Sequence, residues 1–321
     1  MGYDIKNILI TGGFGYIGAQ ISQFLALKGY KVTIFGREKP EFGPNLFSEN
    51  IIFMEGDIQN ELCLKDVTKK KYNIIIHLIS LNQINSNNNA DYISSINIMP
   101  TWKLLEIFSA KGLEKFIYFS TTQVYGKLIS GNITEDKIIK PLNKYGLTHA
   151  ISENIVNFFN DNFKVQCINV RLSNSYGSPL IEKHNYWGLV INDFCNSIFN
   201  SNIIDIKSDG SPLRDFIHLD DVLDGILMII KYKGSLEKNT FNLSSGETIT
   251  ILEAAKVVKK VFWNKYKKES SIKIHEEVEL IKNNNSRYII SNRRIKKIGF
   301  KKKITLINGI NKLFNYLESK K

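Results

Sequence analysis

The sequence predicts an α/β fold, with a doubly wound parallel sheet and a smaller C-terminal α/β lobe. Short apolar segments alternate with segments of helical periodicity up to Tyr176. A glycine-rich turn, Thr11–Gly18, joins the first apolar segment to the first helical one. After Tyr176 this alternation gives way to mixed loops and isolated elements. Alternating strands and helices imply one parallel sheet, because each helix carries the chain back to the start of the next strand.

Apolar runs define the predicted strands. They are short and rich in Ile, Val and Phe, as is typical of strands that are covered on both faces, and they comprise Asn7–Ile10, Lys31–Phe35, Ile51–Phe53, Asn73–Leu78, Phe116–Ser120 and Val165–Leu172. Apolar residues three or four positions apart predict the intervening helices, among them Ala19–Lys28, Met99–Ala110 and Tyr145–Phe159.

The C-terminal part contains fewer regular signals. A strand is expected at Thr240–Leu243, and helices are expected at about Leu189–Phe199, Asp220–Ile230, Thr250–Lys260 and about Leu306–Leu317. We therefore expect two domains. The first comprises residues 1–176 plus about 215–245, and the second comprises about 177–214 plus 246–321.

Composition excludes several classes of protein. No apolar run approaches the ~20 residues that a membrane-spanning helix needs, and the N-terminus has no secretory signal pattern. Cys63, Cys167 and Cys195 lack metal or redox spacing, so we expect reduced thiols, no metal site and a cytoplasmic location. The net charge of +12 has two explanations: an anionic partner, or an A/T-rich genome that over-uses Lys, Asn and Ile. Because the basic residues are dispersed, we expect neither a nucleic-acid nor a membrane partner.

The glycine-rich turn predicts a phosphate site. Gly12, Gly15 and Gly18 follow a strand and open a helix. Glycines let the backbone approach a pyrophosphate closely, and the amides and dipole of the helix N-terminus stabilise its charge. The strand before the glycines and the helix after them are the context in which this motif is informative.

The turn and a series of later motifs resemble the extended short-chain dehydrogenase/reductase family of sugar-nucleotide epimerases, dehydratases and reductases. The resemblance extends along nearly the whole chain, through Gly56-Asp57-Ile58, His77-Leu78, Asn97-x-x-x-Thr101, Ser120-Thr121-Thr122-Gln123-Val124-Tyr125-Gly126, Arg171-x-x-Asn174-x-Tyr176-Gly177, Arg214-Asp215-Phe216-Ile217-His218 and Phe241-Asn242-Leu243. It implies a Rossmann-type fold and an NAD(P) cofactor. The residues that it implies for binding the cofactor are Gly12, Phe14, Gly15, Tyr16, Ile17, Gly18, Asp57, Ile58, Leu78, Ser80, Tyr145 and His149.

The form of the cofactor depends on the end of the second strand. NAD-dependent enzymes carry an acidic residue there that binds the ribose 2′-hydroxyl. Here Gly36 and Arg37 follow Phe35. A guanidinium pairs with a 2′-phosphate, so we slightly favour NADP(H) and leave NAD(H) open. The alternative is that Arg37 is simply an exposed loop residue.

The resemblance also implies catalytic roles. Tyr145 matches the family's acid/base, and Thr121 matches the residue that hydrogen-bonds the reacting oxygen. Four residues after the tyrosine the family has a lysine, which binds the nicotinamide ribose and lowers the tyrosine pKa, whereas this chain has His149. Free tyrosine has a pKa of ~10 and is only ~0.1% ionised at pH 7. Three possibilities stay open: His149 substitutes for the lysine, the enzyme runs slowly or in a less demanding direction, or the chain is a dinucleotide-binding pseudoenzyme.

The residues after Thr121 bear on the type of reaction. The 4,6-dehydratases of the family resemble Thr-Asp-Glu at this place, where the two carboxyl groups carry out the elimination of water. Thr122 and Gln123 have no carboxyl group. Together with the resemblance, this absence predicts redox chemistry without dehydration, at a sugar carbon that is expected to be C4, in a 4-epimerase or a 4-dehydrogenase/4-ketoreductase. The resemblance also implies a role in surface polysaccharide biosynthesis.

The resemblance implies a nucleotide-diphosphate sugar as substrate. The residues expected to bind it are Thr121, Thr122, Gln123, Asn174, Arg214 and Arg287. The segment 183–187 is a candidate for the lining of the sugar pocket. The helices Met99–Ala110 and Tyr145–Phe159 carry apolar residues beyond one stripe, such as Trp102 and Phe158. The equivalent helices of the family form a four-helix interface, so we expect a homodimer.

Overall fold

Strand and helix bounds come from a computed structural model, which describes residues 6–39, 47–81, 89–182, 186–234, 238–275 and 287–321. The strands are β1 (Asn7–Thr11), β2 (Lys31–Gly36), β3 (Ile51–Glu55), β4 (Ile74–His77), β5 (Lys115–Thr121), β6 (Gly131–Ile133), β7 (Gln166–Leu172), β8 (Asn174–Tyr176), β9 (Ile203–Ile206), β10 (Leu213–His218), β11 (Thr240–Leu243), β12 (Thr248–Thr250), β13 (Ser271–Ile274) and β14 (Tyr288–Ile290). The helices are α1 (Tyr16–Leu27), α2 (Glu61–Thr68), α3 (Ala90–Asn97), α4 (Met99–Ser109), α5 (Lys144–Asn162), α6 (Val190–Ser201), α7 (Leu219–Lys231), α8 (Ile251–Tyr266), α9 (Arg293–Lys297) and α10 (Leu306–Glu318). In the part of the chain described here, no helix has the length and apolar character needed to cross a membrane.

A seven-stranded Rossmann-like sheet confirms the predicted fold class. Its strand order is β11-β7-β5-β4-β1-β2-β3, and the pairs β1–β2, β1–β4, β2–β3, β4–β5 and β5–β7 are parallel. The order reverses direction at β1, because β2 lies on one side of it and β4 on the other. In doubly wound folds, ligands bind at the carboxyl ends of the strands around such a reversal.

The chain divides into two compact units. The first contains Met1–Lys127, Glu135–Leu172 and Leu227–Asn242. The second contains Leu128–Thr134, Ser173–Ile226 and Leu243–Lys321. The second unit includes residues 128–134, 173–176, 215–226 and 243–245, which the expected domains assign to the first. Within the second unit, β6 pairs with β14, and β10 pairs with β8 and β12.

Each unit has a hydrophobic core of its own. In the first, the buried side chains of the sheet pack with those of α4 and α5, among them Leu9, Ile75, Leu104, Phe116 and Val156. In the second, α6, α8 and α10 pack together through buried residues such as Phe194, Ala255, Val258 and Phe314. The helix α8 begins with a capping box, in which Thr250 and Glu253 bond each other's backbone N–H groups.

A buried ion pair links α5 to the sheet of the first unit. Arg171 on β7 donates to both carboxylate oxygens of Glu153 on α5, and the Nη2–Oε2 distance is 2.7 Å. Both side chains are almost fully buried, with 5% and 2% of their surface exposed. The hydroxyl of Ser120 on β5 donates to the same carboxylate at 2.5 Å. Neighbouring strands therefore hold α5 through one charged group.

The remaining donors of Arg171 are also satisfied. One guanidinium nitrogen, Nη1, donates to the Tyr125 hydroxyl and to the Glu135 carbonyl, each at 3.0 Å. The Tyr125 hydroxyl in turn donates to Oδ1 of Asn242 on β11 at 2.6 Å. A buried charge is tolerated only when its hydrogen-bonding groups are met in this way.

Because Glu153 neutralises Arg171, we expect Glu153→Gln to lower the free energy of unfolding by about 3–5 kcal/mol, the usual cost of breaking a buried pair. A matched control is Asp136→Asn. Asp136 pairs with Lys238 at the surface, where the two side chains are 54% and 57% exposed, so its loss should cost less than about 1 kcal/mol. Urea unfolding of both variants measures the difference. Equal effects would contradict this assignment.

Candidate active site

The glycine-rich turn lies between β1 and α1. Gly12 has φ +74°, in the left-handed region that glycine adopts without strain. A Cβ atom on Gly18 would lie 2.2 Å from the carbonyl oxygen of Gly12, so only glycine allows α1 to begin this close to β1. The N-cap residue is Gly15, and the first turn carries no acidic side chain. This cradle fits a pyrophosphate, because helix N-terminal amides attract anions.

The other predicted cofactor residues lie just after the carboxyl ends of β1, β2 and β3. Phe14 is buried, and its ring centroid lies 5.6 Å from that of Phe47 and 5.3 Å from that of Phe53. Ile58 is also buried, while Asp57 is partly exposed and its carboxylate accepts the Gln59 N–H at 2.9 Å. Tyr16 and Ile17 are partly exposed in the first turn of α1, and Arg37 is exposed just after β2.

Two strand ends and one helix bring together the residues that the sequence predicts to be catalytic. Thr121 is the last residue of β5, and Ser80 follows β4, its neighbour in the sheet. Both hydroxyls hydrogen-bond the phenol of Tyr145, in the first turn of α5. Burial raises the pKa of Tyr145, and these two hydrogen bonds oppose the rise. The phenol thus lies among hydroxyl groups at the carboxyl edge of the sheet and keeps its proton at neutral pH.

Gln123 helps to begin the helix that carries Tyr145. The Gln123 Oε1 atom accepts from the Asn143 side chain at 3.0 Å, and Asn143 caps α5 by accepting the Gly146 N–H at 2.7 Å. Thr121 in turn accepts the Gln123 N–H at 3.2 Å. Thr122 is partly exposed in the short 3₁₀ helix that follows β5. Sequence reasoning missed this link, because Asn143 carries no signal beyond an N-cap preference.

His149 lies one turn after Tyr145 on α5, and its ring centroid is 4.5 Å from that of Tyr145. It is 2% exposed, and its Nδ1 is 2.8 Å from the Tyr118 hydroxyl. Burial lowers the pKa of His149 to about 3, so the ring is neutral at physiological pH. Its other nitrogen, Nε2, is buried and has no hydrogen-bond partner among the residues that the structure describes. That nitrogen is suited to a hydroxyl group of a bound cofactor.

A second histidine, His77, is buried in the same part of the first unit. Nδ1 of His77, at the end of β4, is 2.6 Å from the Thr11 hydroxyl. Its ring centroid lies 5.9 Å from that of Tyr118. Burial, and secondarily His149, lowers the pKa of His77 to about 3. The sequence offered no sign of the bond to Thr11, because the two residues are far apart in the chain.

The predicted diphosphate residues lie in the second unit. Asn174 donates from Nδ2 to the Asp215 carbonyl at 3.0 Å. Arg214 is exposed and donates to the Leu213 carbonyl at 2.8 Å. Arg287 forms an ion pair with Glu253 at 2.5 Å. Of the candidate segment 183–187, residues 183–185 lie outside the described residues.

Asp215 belongs to this unit's structure. Its buried carboxylate accepts from Ser173 at 2.7 Å and from the backbone of Ser245 at 2.8 Å and of Gly246 at 2.9 Å. It is therefore held by hydroxyl and amide donors. Across the ranges described, no group of three or more His, Cys, Asp or Glu side chains is placed to hold a metal ion.

The fold and this site define a dinucleotide-binding protein with a tyrosine and a threonine at the edge of a doubly wound sheet. The model of the NAD dependent epimerase/dehydratase family matches residues 8–244, so the chain belongs to that family.

The chain is similar to relatives with two different activities. It is 30% identical to a dTDP-D-glucose 4,6-dehydratase of Dictyostelium discoideum over 79% of this chain and 62% of that protein. It is 26% identical to a putative UDP-glucose 4-epimerase of Methanocaldococcus jannaschii over 97% of this chain and 98% of that protein.

Solved structures share the fold. A UDP-glucose 4-epimerase of Thermotoga maritima, solved with UDP-glucose, superposes with a TM-score of 0.82 at 25% identity and covers 98% of this chain and 99% of that one. A UDP-glucuronic acid 4-epimerase of Bacillus cereus, in complex with UDP-glucuronic acid and NAD, gives a TM-score of 0.79 at 21% identity and covers 98% of this chain and 100% of that one.

The buried histidines predict acid sensitivity. In the unfolded chain, His77 and His149 take up protons below pH 6.5, whereas in the folded protein they stay neutral down to about pH 3. The unfolded state then binds more protons, so the free energy of unfolding falls as the pH falls from 6.5, by about 1.4 kcal/mol per pH unit and histidine. We expect His149→Gln to reduce this slope by about that amount. Parallel pH dependences of the wild type and the variant, measured by urea unfolding, would disprove it.

Proposed function

We propose that this chain catalyses NAD(P)-dependent hydride transfer at a sugar carbon, C4, of a nucleotide-activated sugar. The reaction is that of a 4-epimerase or of a 4-dehydrogenase/4-ketoreductase. The observation that carries the proposal is the phenol of Tyr145, which is hydrogen-bonded by Thr121 and Ser80 at the carboxyl edge of the sheet. The UDP-sugar 4-epimerases among the similar proteins support the choice of substrate class. We place the reaction in the cytoplasm, where it supplies surface polysaccharide synthesis.

The proposed mechanism gives each residue one task. A nicotinamide dinucleotide, when bound, supplies or accepts the hydride. Gly12, Gly15 and Gly18 let the backbone approach its pyrophosphate, and His149 bonds a ribose hydroxyl. Tyr145 gives a proton to the sugar oxygen during reduction and takes it during oxidation. Thr121 holds that oxygen by a hydrogen bond.

Dehydration is not part of the proposal, although a 4,6-dehydratase is among the relatives. Elimination of water needs an acid and a base beside the sugar. Thr122 has no group that ionises near neutral pH, and Gln123 is an amide whose oxygen is engaged with Asn143. The site therefore lacks the acid and the base for dehydration, and the proposal is limited to redox chemistry at the sugar carbon.

Two observations favour different forms of the dinucleotide. The exposed guanidinium of Arg37 after β2 favours the 2′-phosphate of NADP(H). The structural neighbour from Bacillus cereus was solved with NAD, which favours NAD(H). Dissociation constants for NADPH and NADH, measured for the wild type and for Arg37→Ala, distinguish the two. Equal affinities in the wild type would rule out Arg37 as the selector.

We assign the diphosphate of the substrate to Asn174, Arg214 and Arg287. Arg214 presents an exposed guanidinium on β10, which suits phosphate oxygens. Arg287 is already paired with Glu253, so binding of a diphosphate there requires competition with that carboxylate. Of the two arginines, Arg214 is therefore the stronger candidate.

One observation favours a second function, that of a dinucleotide-binding pseudoenzyme. The neutral His149 places no positive charge beside Tyr145, and a charge at this point is what the family's lysine provides. Such a protein would bind a dinucleotide and turn over no nucleotide sugar. The retained Tyr145 and Thr121 argue for turnover.

Tyr145→Phe tests the proposed function. The variant keeps the ring but loses the proton, so we expect turnover to fall by about 10²–10⁴-fold while the dinucleotide still binds. Tyr92→Phe, on an exposed tyrosine of α3, is the matched control and should retain full turnover. Product formation from UDP-sugars and dTDP-sugars, with their 4-keto forms, measures the effect. A fully active Tyr145→Phe variant would refute the role of the phenol.

We also propose a homodimer through α4 and α5. The two helices pack side by side, and each leaves large apolar side chains exposed: Trp102 is 47%, Ile151 39% and Phe158 54% exposed. A second copy of the same face would cover them by twofold symmetry, as a four-helix interface. Not every apolar residue of these helices faces outward, because Phe108 and Phe159 belong to the core.

Light scattering tests the dimer. We expect the wild type at micromolar concentration to show twice the chain mass of 36.8 kDa, and Phe158→Glu to shift it toward one chain, because a carboxylate would be buried in the interface. Ile138→Glu, at a side chain that is 74% exposed outside these helices, is the control and should leave the mass unchanged. A monomeric wild type would overturn the proposal.

A further inference from the structure

The outer surface of α8, in the second unit, carries a row of lysines around one tryptophan. The exposed side chains of this row are Lys256, Lys260, Trp263 and Lys267, the last of which caps the C-terminus of the helix. At 3.6 residues per turn, these four positions fall within about 60° of one another around the helix axis. We call these four residues the basic face of α8.

The opposite side of α8 packs against α6 and α10 and belongs to the core of the second unit. Its buried residues are Ile251, Ala254, Ala255, Val258, Val261 and Phe262. The other aromatic rings of α8, those of Phe262 and Tyr266, lie against Phe314. The indole of Trp263 makes no ring contact within the described ranges, and 42% of this residue is exposed. The basic face therefore presents its side chains to solvent.

The positive charge of this region is not neutralised by neighbouring carboxylates. Residues 254–268 include six lysines and no aspartate or glutamate. One of the six, Lys265, pairs with Glu318 on α10. The first carboxylate along α8, that of Glu253, is paired with Arg287. The three lysines of the basic face form no ion pair with any residue that the structure describes.

Helix geometry explains why the sequence did not reveal this surface. The basic residues are dispersed along the chain, and dispersed charges gave no reason to expect a membrane partner. Residues four or seven positions apart on a helix lie on the same side of it. The fold therefore gathers lysines that the sequence separates, and it places an exposed indole among them.

We propose that the basic face of α8 is a peripheral binding surface for an anionic lipid membrane, with Trp263 entering the headgroup region. Anionic lipids attract lysines near the membrane surface, and tryptophan is enriched at the boundary between water and hydrocarbon. Long lysine side chains let the ammonium groups stay among the phosphates while the indole lies deeper. This inference goes beyond the proposed function and does not depend on it.

The composition of the basic face favours a lipid surface over a nucleic acid or an acidic protein. Arginine, whose planar fork pairs with phosphate or carboxylate oxygens in a defined geometry, is absent from residues 251–275. Lysine is a point charge, which suits a membrane surface whose phosphates have no fixed positions. Proteins that bind single-stranded nucleic acid stack successive bases on several aromatic side chains, whereas Trp263 is the one exposed aromatic residue of this segment.

Sedimentation of the full chain with lipid vesicles tests the surface. At about 0.1 M salt, we expect the protein to bind vesicles of phosphatidylcholine mixed with phosphatidylglycerol. Binding to pure phosphatidylcholine should be at least about tenfold weaker, and added salt should release the protein from the mixed vesicles. Equal binding to the two kinds of vesicle, or binding to neither, would overturn the proposal.

Lys256→Gln combined with Lys260→Gln removes two charges from the basic face. We expect the partition coefficient onto the mixed vesicles to fall by about 30-fold, about fivefold for each lysine near an anionic surface. The matched control is Lys70→Gln combined with Lys71→Gln, which removes two exposed charges from the first unit and should change the partition coefficient by less than about twofold. Equal losses would mean that the net charge of the protein, and no surface on α8, causes the binding.

The fluorescence of Trp263 reports whether the indole enters the membrane. We expect the tryptophan emission to shift to shorter wavelength on the mixed vesicles. Because the chain has three tryptophans, the shift is assigned by comparison with Trp263→Phe, in which it should disappear. A shift that persists in this variant, or binding of the wild type without a shift, would contradict the insertion of Trp263.

Competition distinguishes the lipid surface from other anionic partners. A single-stranded oligonucleotide or polyglutamate, added at the same concentration of charge as the lipid, should leave most of the protein on the vesicles. Displacement by the oligonucleotide would overturn the proposal in favour of a nucleic acid, and displacement by polyglutamate would overturn it in favour of an acidic protein. None of these measurements requires turnover of a nucleotide sugar, so this inference and the proposed function can fail separately.

Discussion

The ion pair between Glu153 and Arg171 is the interaction on which the candidate site depends. It ties α5 to β7, and through Ser120 it ties the same helix to β5. Two charges in a nearly dry interior are stable only with all their partners present, and the chain supplies those partners from β5, β7, α5 and the loop before α5. The carboxylate fixes the position and rotation of α5 relative to β5, the strand that ends in Thr121.

The position of α5 also determines where the candidate catalytic residues lie. Tyr145 lies about two turns before Glu153 on α5, and Thr121 is the residue after Ser120 on β5. A helix fixed on the sheet at Glu153, and capped by Asn143 at its beginning, leaves the phenol little freedom. Its hydrogen bonds to Thr121 and Ser80 then form between groups that are already in position, which is the condition for efficient proton transfer.

The sequence predicted the parts of the fold that have periodic signals. The strands of the parallel sheet and the longer helices lie within a few residues of their expected bounds, and Thr240–Leu243 is identical to its strand. The sequence analysis missed short elements such as β6 and β14. These two strands pair although they are far apart in the chain, and no local sequence pattern predicts such a pairing. The same limit applies to the site. Tyr145, Thr121 and His149 follow from motifs, whereas Tyr118 lies in an ordinary strand pattern, and only its contact with His149 places it beside the site.

The histidine at position 149, where the family has a lysine, suits its surroundings. A lysine ammonium has donors only and a strongly hydrated charge, and here it would lie in a pocket lined by the aromatic rings of Tyr118 and Tyr145. Burying that charge without a carboxylate partner is costly. A neutral imidazole carries no such charge, and its Nδ1 lies 2.8 Å from the Tyr118 hydroxyl. The neutral side chain at position 149 is therefore matched to its buried, aromatic surroundings.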